Sequence, residues 1–239
     1  LRAPLLIVAR QINEALARCG FPLCPGEIMA SNPACCLTLE EWRTRFHRWI
    51  DQGTPAHLLN ATIYFDFRVL WGDETAARSL RDELTIQVAR NSRFRRQMAA
   101  NALRNRPPLG MLGGFRLAAG RGETRHTLDL KLAGITPFVD SARIFAFASG
   151  VPATATVARL NGAAESGHLP TREVEAWIES YHYIQLLRMQ NHQQQAQQGQ
   201  PLHNRLDPDQ LNGLDTQILK EAFRQARGLQ ARLTLDYQL

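Results

Sequence analysis

Apolar residues recur at three- and four-residue intervals along most of the chain, the period of helices that bury one face. Leu5, Val8, Ile12 and Leu16 form such a stripe over residues 4–19, which Gly20 ends. Thr38 followed by Glu40-Glu41 opens a second helix, in which Trp42, Phe46 and Trp49 recur up to Gln52-Gly53. Further helices are expected over 74–90 (with Asp73 as cap), 92–105 (stopped by Pro107-Pro108), 136–149, 154–166, 170–198 and 213–236. In the longest, Val174, Trp177, Ile178, Tyr181, Ile184 and Leu187 face a core.

Three stretches carry a different period. Glu27–Ala30, between Pro25-Gly26 and Asn32-Pro33, reads as a short strand. Phe115–Leu117 and Thr127–Leu132 flank a turn at Gly120-Arg121-Gly122 and read as a hairpin. In its second arm Leu128, Leu130 and Leu132 share one face, and Asp129 and Lys131 the other. Residues 55–71 fit two periods. Ile63, Phe65, Phe67, Val69 and Trp71 alternate as in a strand, whereas Leu58, Thr62, Phe65 and Val69 form a helical stripe behind Pro55, and helix is preferred. The expected fold class is therefore mainly α: a helical bundle over 53–239 with one small β-hairpin, preceded over 1–52 by a helix–strand–helix remnant of an α/β layer.

Composition narrows the class. With 239 residues, 44% hydrophobic and 21% charged, the chain is an ordinary globular one. No apolar run reaches the roughly 18 residues of a membrane span and no signal-peptide pattern opens it, so a soluble cytoplasmic protein without membrane contact is expected. Cys19, Cys24, Cys35 and Cys36 lack metal-ligand spacing and are expected as reduced thiols. The net charge is +6, but its placement matters more. Between Leu84 and Leu128 stand nine arginines, Arg93, Arg95, Arg96, Arg104, Arg106 and Arg116 among them, against the single acid Glu123. Such a run attracts phosphate, nucleic acid or an acidic protein, or else forms a solvated helix face. Nucleic acid is the weaker option, because Phe94 and Phe115 alone could stack on bases there.

Phosphate loops, dinucleotide fingerprints, nucleophile elbows and zinc-helix motifs are absent. The seven histidines are scattered singly, and Asp207-Pro208-Asp209 reads as turn and cap chemistry.

A more specific pattern runs through the chain in order. It comprises Cys24-Pro25-Gly26-Glu27-Ile28-Met29-Ala30-Ser31-Asn32-Pro33, then Trp42, Phe46 and Trp49-Ile50, then Phe65-Asp66-Phe67-Arg68 with Gly72-Asp73. Ala99-Ala100-Asn101-Ala102-Leu103, Pro107-Pro108-Leu109-Gly110, Leu128-Asp129-Leu130-Lys131 with Gly134, and Asp140 with Arg143 continue it. Leu187-Arg188 with His192, Leu206-Asp207-Pro208 and Leu219-Lys220-Glu221-Ala222-Phe223 complete it. This pattern resembles a bacterial putative nucleotidyltransferase family, in which a transferase domain precedes a helical substrate-binding domain, often behind cyclic-nucleotide-binding and CBS modules. More distantly it resembles the uridylyltransferases that modify the PII signalling protein.

The resemblance implies transfer of a nucleoside monophosphate from a triphosphate to an acceptor, a protein being one candidate. It also implies that the Gly-Ser turn and acidic pair holding the triphosphate and Mg²⁺ would lie before Leu1, so that residues 1–52 are the end of the transferase domain, 53–239 the helical domain, and Mg²⁺ belongs to the full-length enzyme alone. By itself the piece is expected to be inactive. Cys35-Cys36 departs from the aromatic more usual at that point. The candidate substrate- and nucleotide-binding residues are Asp66, Arg68, Asp73, Asn101, Arg104, Asp129, Lys131, Asp140 and Arg143. Arg68 suits bidentate contact with phosphate or a salt bridge to Asp66 or Asp73, and Asp140 and Arg143, three apart, suit a bridge on one helix. The alternative reading is a non-catalytic regulatory or dimerisation module relaying signals from upstream domains, with homodimers as its partner state.

Overall fold

The computed structural model describes residues 2–110, 113–118 and 126–239. The proposed turn at Gly120-Arg121-Gly122 lies outside the described residues. Helices dominate: α1 (Arg2–Arg18), α2 (Leu39–Gln52), α3 (Pro55–Tyr64), α4 (Thr75–Arg90), α5 (Ser92–Ala102), α6 (Thr136–Ala148), α7 (Thr156–Glu165), α8 (Thr171–Gln197) and α9 (Gly213–Tyr237). A two-stranded antiparallel sheet, β1 (Leu128–Asp129) with β2 (Arg205–Leu206), is the small β component. The mainly α bundle expected from the periodicity is what the chain forms.

Caps set several boundaries. Thr38 and Glu41 form a reciprocal capping box at α2, each side chain bonded to the other's backbone amide. Thr54 caps α3, with Pro55 in the first turn. Between these two helices Gly53 adopts φ +55°, and its N–H bonds back to the Trp49 carbonyl at 3.0 Å. An added Cβ would meet the Gln97 carboxamide as well as the left-handed backbone penalty. Gly53→Ala is therefore expected to destabilise by about 1–2 kcal/mol, read as a lower urea midpoint at unchanged slope.

The core centres on α6, which packs against α5, α7 and α9, with α8 laid along α9. Phe138, Ala142, Ile144, Phe145 and Phe147 of α6 are all buried, so this helix is apolar around most of its circumference. The α2 helix joins the bundle through Phe46, Trp49 and Ile50, packed against α3 and α4. By contrast, α1 buries none of its residues, and its stripe of Leu5, Val8, Ile12 and Leu16 faces outward.

Four expectations are corrected. Glu27–Ala30 is not a strand: Glu27 takes φ +55° in a turn, the Asn32 side chain closes onto the Glu27 carbonyl at 2.8 Å, and no neighbouring strand offers a ladder among the described residues. Glu27 itself is an exposed turn acid. The helix predicted over 55–71 stops at Tyr64, because Phe65 is drawn into the aromatic core and the chain leaves the helical path after it. The strand predicted to Leu132 ends at Asp129, whose carboxylate accepts the amides of Lys131 and Leu132 at 3.0 and 2.8 Å and opens a wide π-helical turn, Leu130–Ile135. Leu132 is thereby turned outward rather than sharing a face with Leu128 and Leu130. Finally, among the described residues the second arm is bonded to the first where Ala118 meets His126 and Thr127, while its β1 segment pairs with β2 from far along the chain. Gly134 lets that turn approach the bundle closely: a Cβ there would sit 3.0 Å from Ile184 and 3.4 Å from Phe223.

Candidate functional site

The predicted site residues divide into two places and some outliers. The first place is a buried ionic knot. Asp66, just past α3, accepts from Arg143 of α6 (Nη2 to Oδ2, 2.8 Å) and from Arg159 of α7 (Nη1 to Oδ2, 3.1 Å, with a second, shorter contact to Oδ1). Arg143 turns its other amine to Asp140 at 2.7 Å, the bridge expected from their spacing. The side chains of Arg143 and Arg159 are only 6% and 2% exposed, so their charges depend on these partners. Burial pushes the Asp66 carboxyl up, but hydrogen bonds and charge from Arg159 and Arg143 outweigh it and hold the group below the usual aspartate range. Asp140, with one such partner, is left raised by burial. The bridge from Arg68 to Asp66 or Asp73 does not form. Arg159 and Arg143 enclose Asp66, and Arg68 points outward from the following loop. Asp73 is an exposed turn acid accepting the Thr75 amide at 2.8 Å. Asn101, with Asp140 and Arg143, lines a cavity of about 10 Å³, room for little more than one water.

The second place is an open groove of about 790 Å³. Its walls are the segment after α5, the Arg116–Ala118 arm, the β1–β2 ladder and α9. Arg104, Arg106, Arg116, Arg205 and Arg227 line it, with Asp129 as the one acid among the described lining residues. Two side chains of α9 fix the rim. Gln230 of α9 donates to the carbonyls of Ala102 (3.2 Å) and Asn105 (2.8 Å), and the Arg227 guanidinium donates to the Leu109 carbonyl. The Asp129 carboxylate is occupied by its two backbone amides. Arg104, Arg106, Arg116 and Arg205 form no ion pair among the described residues; the first three are exposed and Arg205 is half-buried. Of the nine predicted residues, Arg104 and Asp129 are the two brought into this groove. Lys131 is exposed outside it.

Six arginines of the run fall into two populations, while Arg121 and Arg125 lie outside the described residues. Arg93 donates to the Asp51 carbonyl at the end of α2, Arg95 to Val88 (2.9 Å) and Ala89 at the end of α4, and Arg96 to Tyr237 and Gln238 (3.2 Å each) at the end of α9. Each serves a helix C-terminus, where orphan carbonyls and the helix dipole favour a cation. Arg104, Arg106 and Arg116 belong to the groove instead. Sequence reading missed Arg159, Arg205 and Arg227: each stands far along the chain from the run, and only the bundle and the β1–β2 pairing bring them in.

The buried carboxylates do not fit a Mg²⁺ site. Asp66 is held by two arginines and Asp140 by one, and among the described residues no pair of open carboxylates converges beside them. At the end of the ladder, ligand atoms of His126, Asp207 and Asp209 lie within 4.8 Å of one another. An ion pair of 3.1 Å between His126 and Asp209, with Asp207 capping the Asp209 amide at 3.0 Å, accounts for that grouping and bears out the cap reading of Asp207. No described helix is long and apolar enough to cross a membrane.

No curated protein and no solved structure matches the chain. Two family models do. Residues 2–56 match the one described as putative nucleotidyltransferase DUF294, and residues 92–237 the one described as putative nucleotidyltransferase substrate binding domain. The groove lies within the second match and the apolar face of α1 within the first. Because that second match alone takes in more than half of the sequence, the chain belongs to the putative nucleotidyltransferase family with this substrate-binding domain.

Proposed function

We propose that this chain is the acceptor-binding portion of a signalling nucleotidyltransferase, an enzyme that moves a nucleoside monophosphate from a triphosphate onto an acceptor. The observation that supports this is the arginine groove within the substrate-binding domain: guanidiniums that form no ion pair among the described residues, on a rim held by α9, suited to an anionic ligand. The triphosphate, Mg²⁺ and the Gly-Ser turn with its acidic pair come from outside residues 1–239 in this reading. Cyclic-nucleotide-binding and CBS modules of the same cytoplasmic protein set its activity. The 66/140/143/159 knot is scaffold that keeps the groove-bearing helices in place.

Two measurements test it. The 239-residue chain should transfer no labelled UMP or AMP by itself. In the whole protein, Arg104→Ala with Arg205→Ala should raise the KM for acceptor while leaving kcat near wild type, since the change removes binding that ground and transition states share. Transfer by the short chain, or an unmoved KM, defeats the proposal.

The outward apolar stripe of α1 favours a second reading, a dimerisation or docking element. Sedimentation of Leu5→Ser with Ile12→Ser should then show a smaller species than wild type, and equal sizes remove that reading.

A further inference from the structure

The groove's shape bears on which anion it receives. A protein acceptor docks on a broad, fairly flat face, about 800 Å² per partner. This site is concave, and its volume of about 790 Å³ falls in the range of small-molecule sites, roughly 300–1,000 Å³. Its charge is concentrated: among the described lining residues five guanidiniums stand against one carboxylate, whose Oδ1 is already engaged by two backbone amides. Between the arginines lie Pro107, Pro108, Leu109 and Leu117, an apolar wall that suits the face of a ring rather than a second charge. Acidic side chains of a protein would each meet one guanidinium through a flexible stem. Adjacent phosphates present several oxygens to several guanidinium forks at once, and Arg is the residue that best exploits this.

We infer that the groove binds a small ligand carrying two or more linked phosphates, of the nucleoside oligophosphate class, rather than an acidic protein surface. The inference rests on the acceptor-binding reading above and narrows it to a ligand class. Arg104, on the segment after α5, and Arg205, on β2, grip the phosphate chain, Arg106 and Arg116 neutralise its remaining charge, and the proline-leucine wall carries the ring.

Calorimetric titration of the 239-residue chain with tripolyphosphate, ATP, AMP and a hexaglutamate peptide tests this. Tripolyphosphate and ATP should bind, ATP more tightly, with AMP weaker by at least about tenfold and affinity falling steeply as salt rises. Arg104→Ala and Arg205→Ala should each weaken tripolyphosphate by at least about tenfold with circular dichroism unchanged, since Arg104 is exposed and Arg205 half-buried. Arg172→Ala, on α8 and outside the groove, should leave binding as it was. Equal affinity for AMP and ATP, or tripolyphosphate binding indifferent to both groove variants, overturns the inference. Binding of the peptide without any phosphate also overturns it, while leaving an anionic acceptor site standing. Silence from all four probes removes both.

Discussion

Asp66→Ala should lower the melting temperature more than any other single charge change in the chain. Among the described residues, removing that carboxylate leaves Arg159 with no anionic partner and Arg143 with Asp140 alone, both guanidiniums almost wholly out of water. Breaking a buried pair from one side costs about 3–4 kcal/mol, toward the lower end of the usual range because Asp66 keeps some solvent contact. At roughly 2–4 °C per kcal/mol for a chain of this size, the melting temperature falls by on the order of 10 °C. The effect also has a pH signature. The folded Asp66 carboxyl titrates below its unfolded value, so its contribution is present above about pH 4 and is lost as pH falls through the folded value. Asp140 has the opposite sign: burial raises its folded value, so what it contributes is present at low pH and lost as pH rises through that value. Acidification below about pH 4 should therefore destabilise wild type more than Asp66→Ala. A variant that melts with wild type would show that the two arginines have other means of support. Asp73→Ala, the exposed neighbour in the same motif, serves as the comparison and should melt close to wild type.

Phe65→Ala is the second large effect. Phe65 is wholly buried among four aromatics: Phe46 at 5.1 Å and edge-on, Phe147 at 6.1 Å and edge-on, Phe94 at 6.2 Å and Trp49 at 6.3 Å between centroids, with Phe67 tilted against Phe46. These rings come from α2, α5 and α6 as well as the Phe65–Phe67 loop, so one side chain joins the 2–56 segment to the substrate-binding domain. Truncation opens a cavity that stiff rings cannot close, at a cost of about 4 kcal/mol. Trp71→Ala, a few residues on, removes a side chain that is 94% exposed and should leave the denaturation midpoint unchanged. If the two variants unfolded alike, the packing account of this motif would be wrong.

Much of the architecture was legible in local pattern. The starts of α2 and α3 were written in Thr38, Glu41 and Pro55, because helix-start signals are satisfied within a few residues and need no partner from elsewhere. The bundle class followed from apolar spacing, and the Asp140–Arg143 bridge from a separation of three on one helix face. Glu27–Ala30 reads as a strand because three apolar residues between turns carry a strand's composition without its ladder, and a ladder is a property of two segments. The same limit hid the true partner of Asp66. Arg68 was the nearest cation in sequence, yet α6 and α7 place Arg143 and Arg159 closer in space.

What the sequence determined alone is therefore local: helix periods, caps, the run of arginines and the family motif order. The tertiary structure decided how that charge is used. It sent Arg93, Arg95 and Arg96 to helix ends and gathered Arg104, Arg106 and Arg116 with the distant Arg205 and Arg227 around one groove. Charge count is fixed by composition, but whether a guanidinium meets a carbonyl or open solvent depends on which helix end or strand the fold brings beside it.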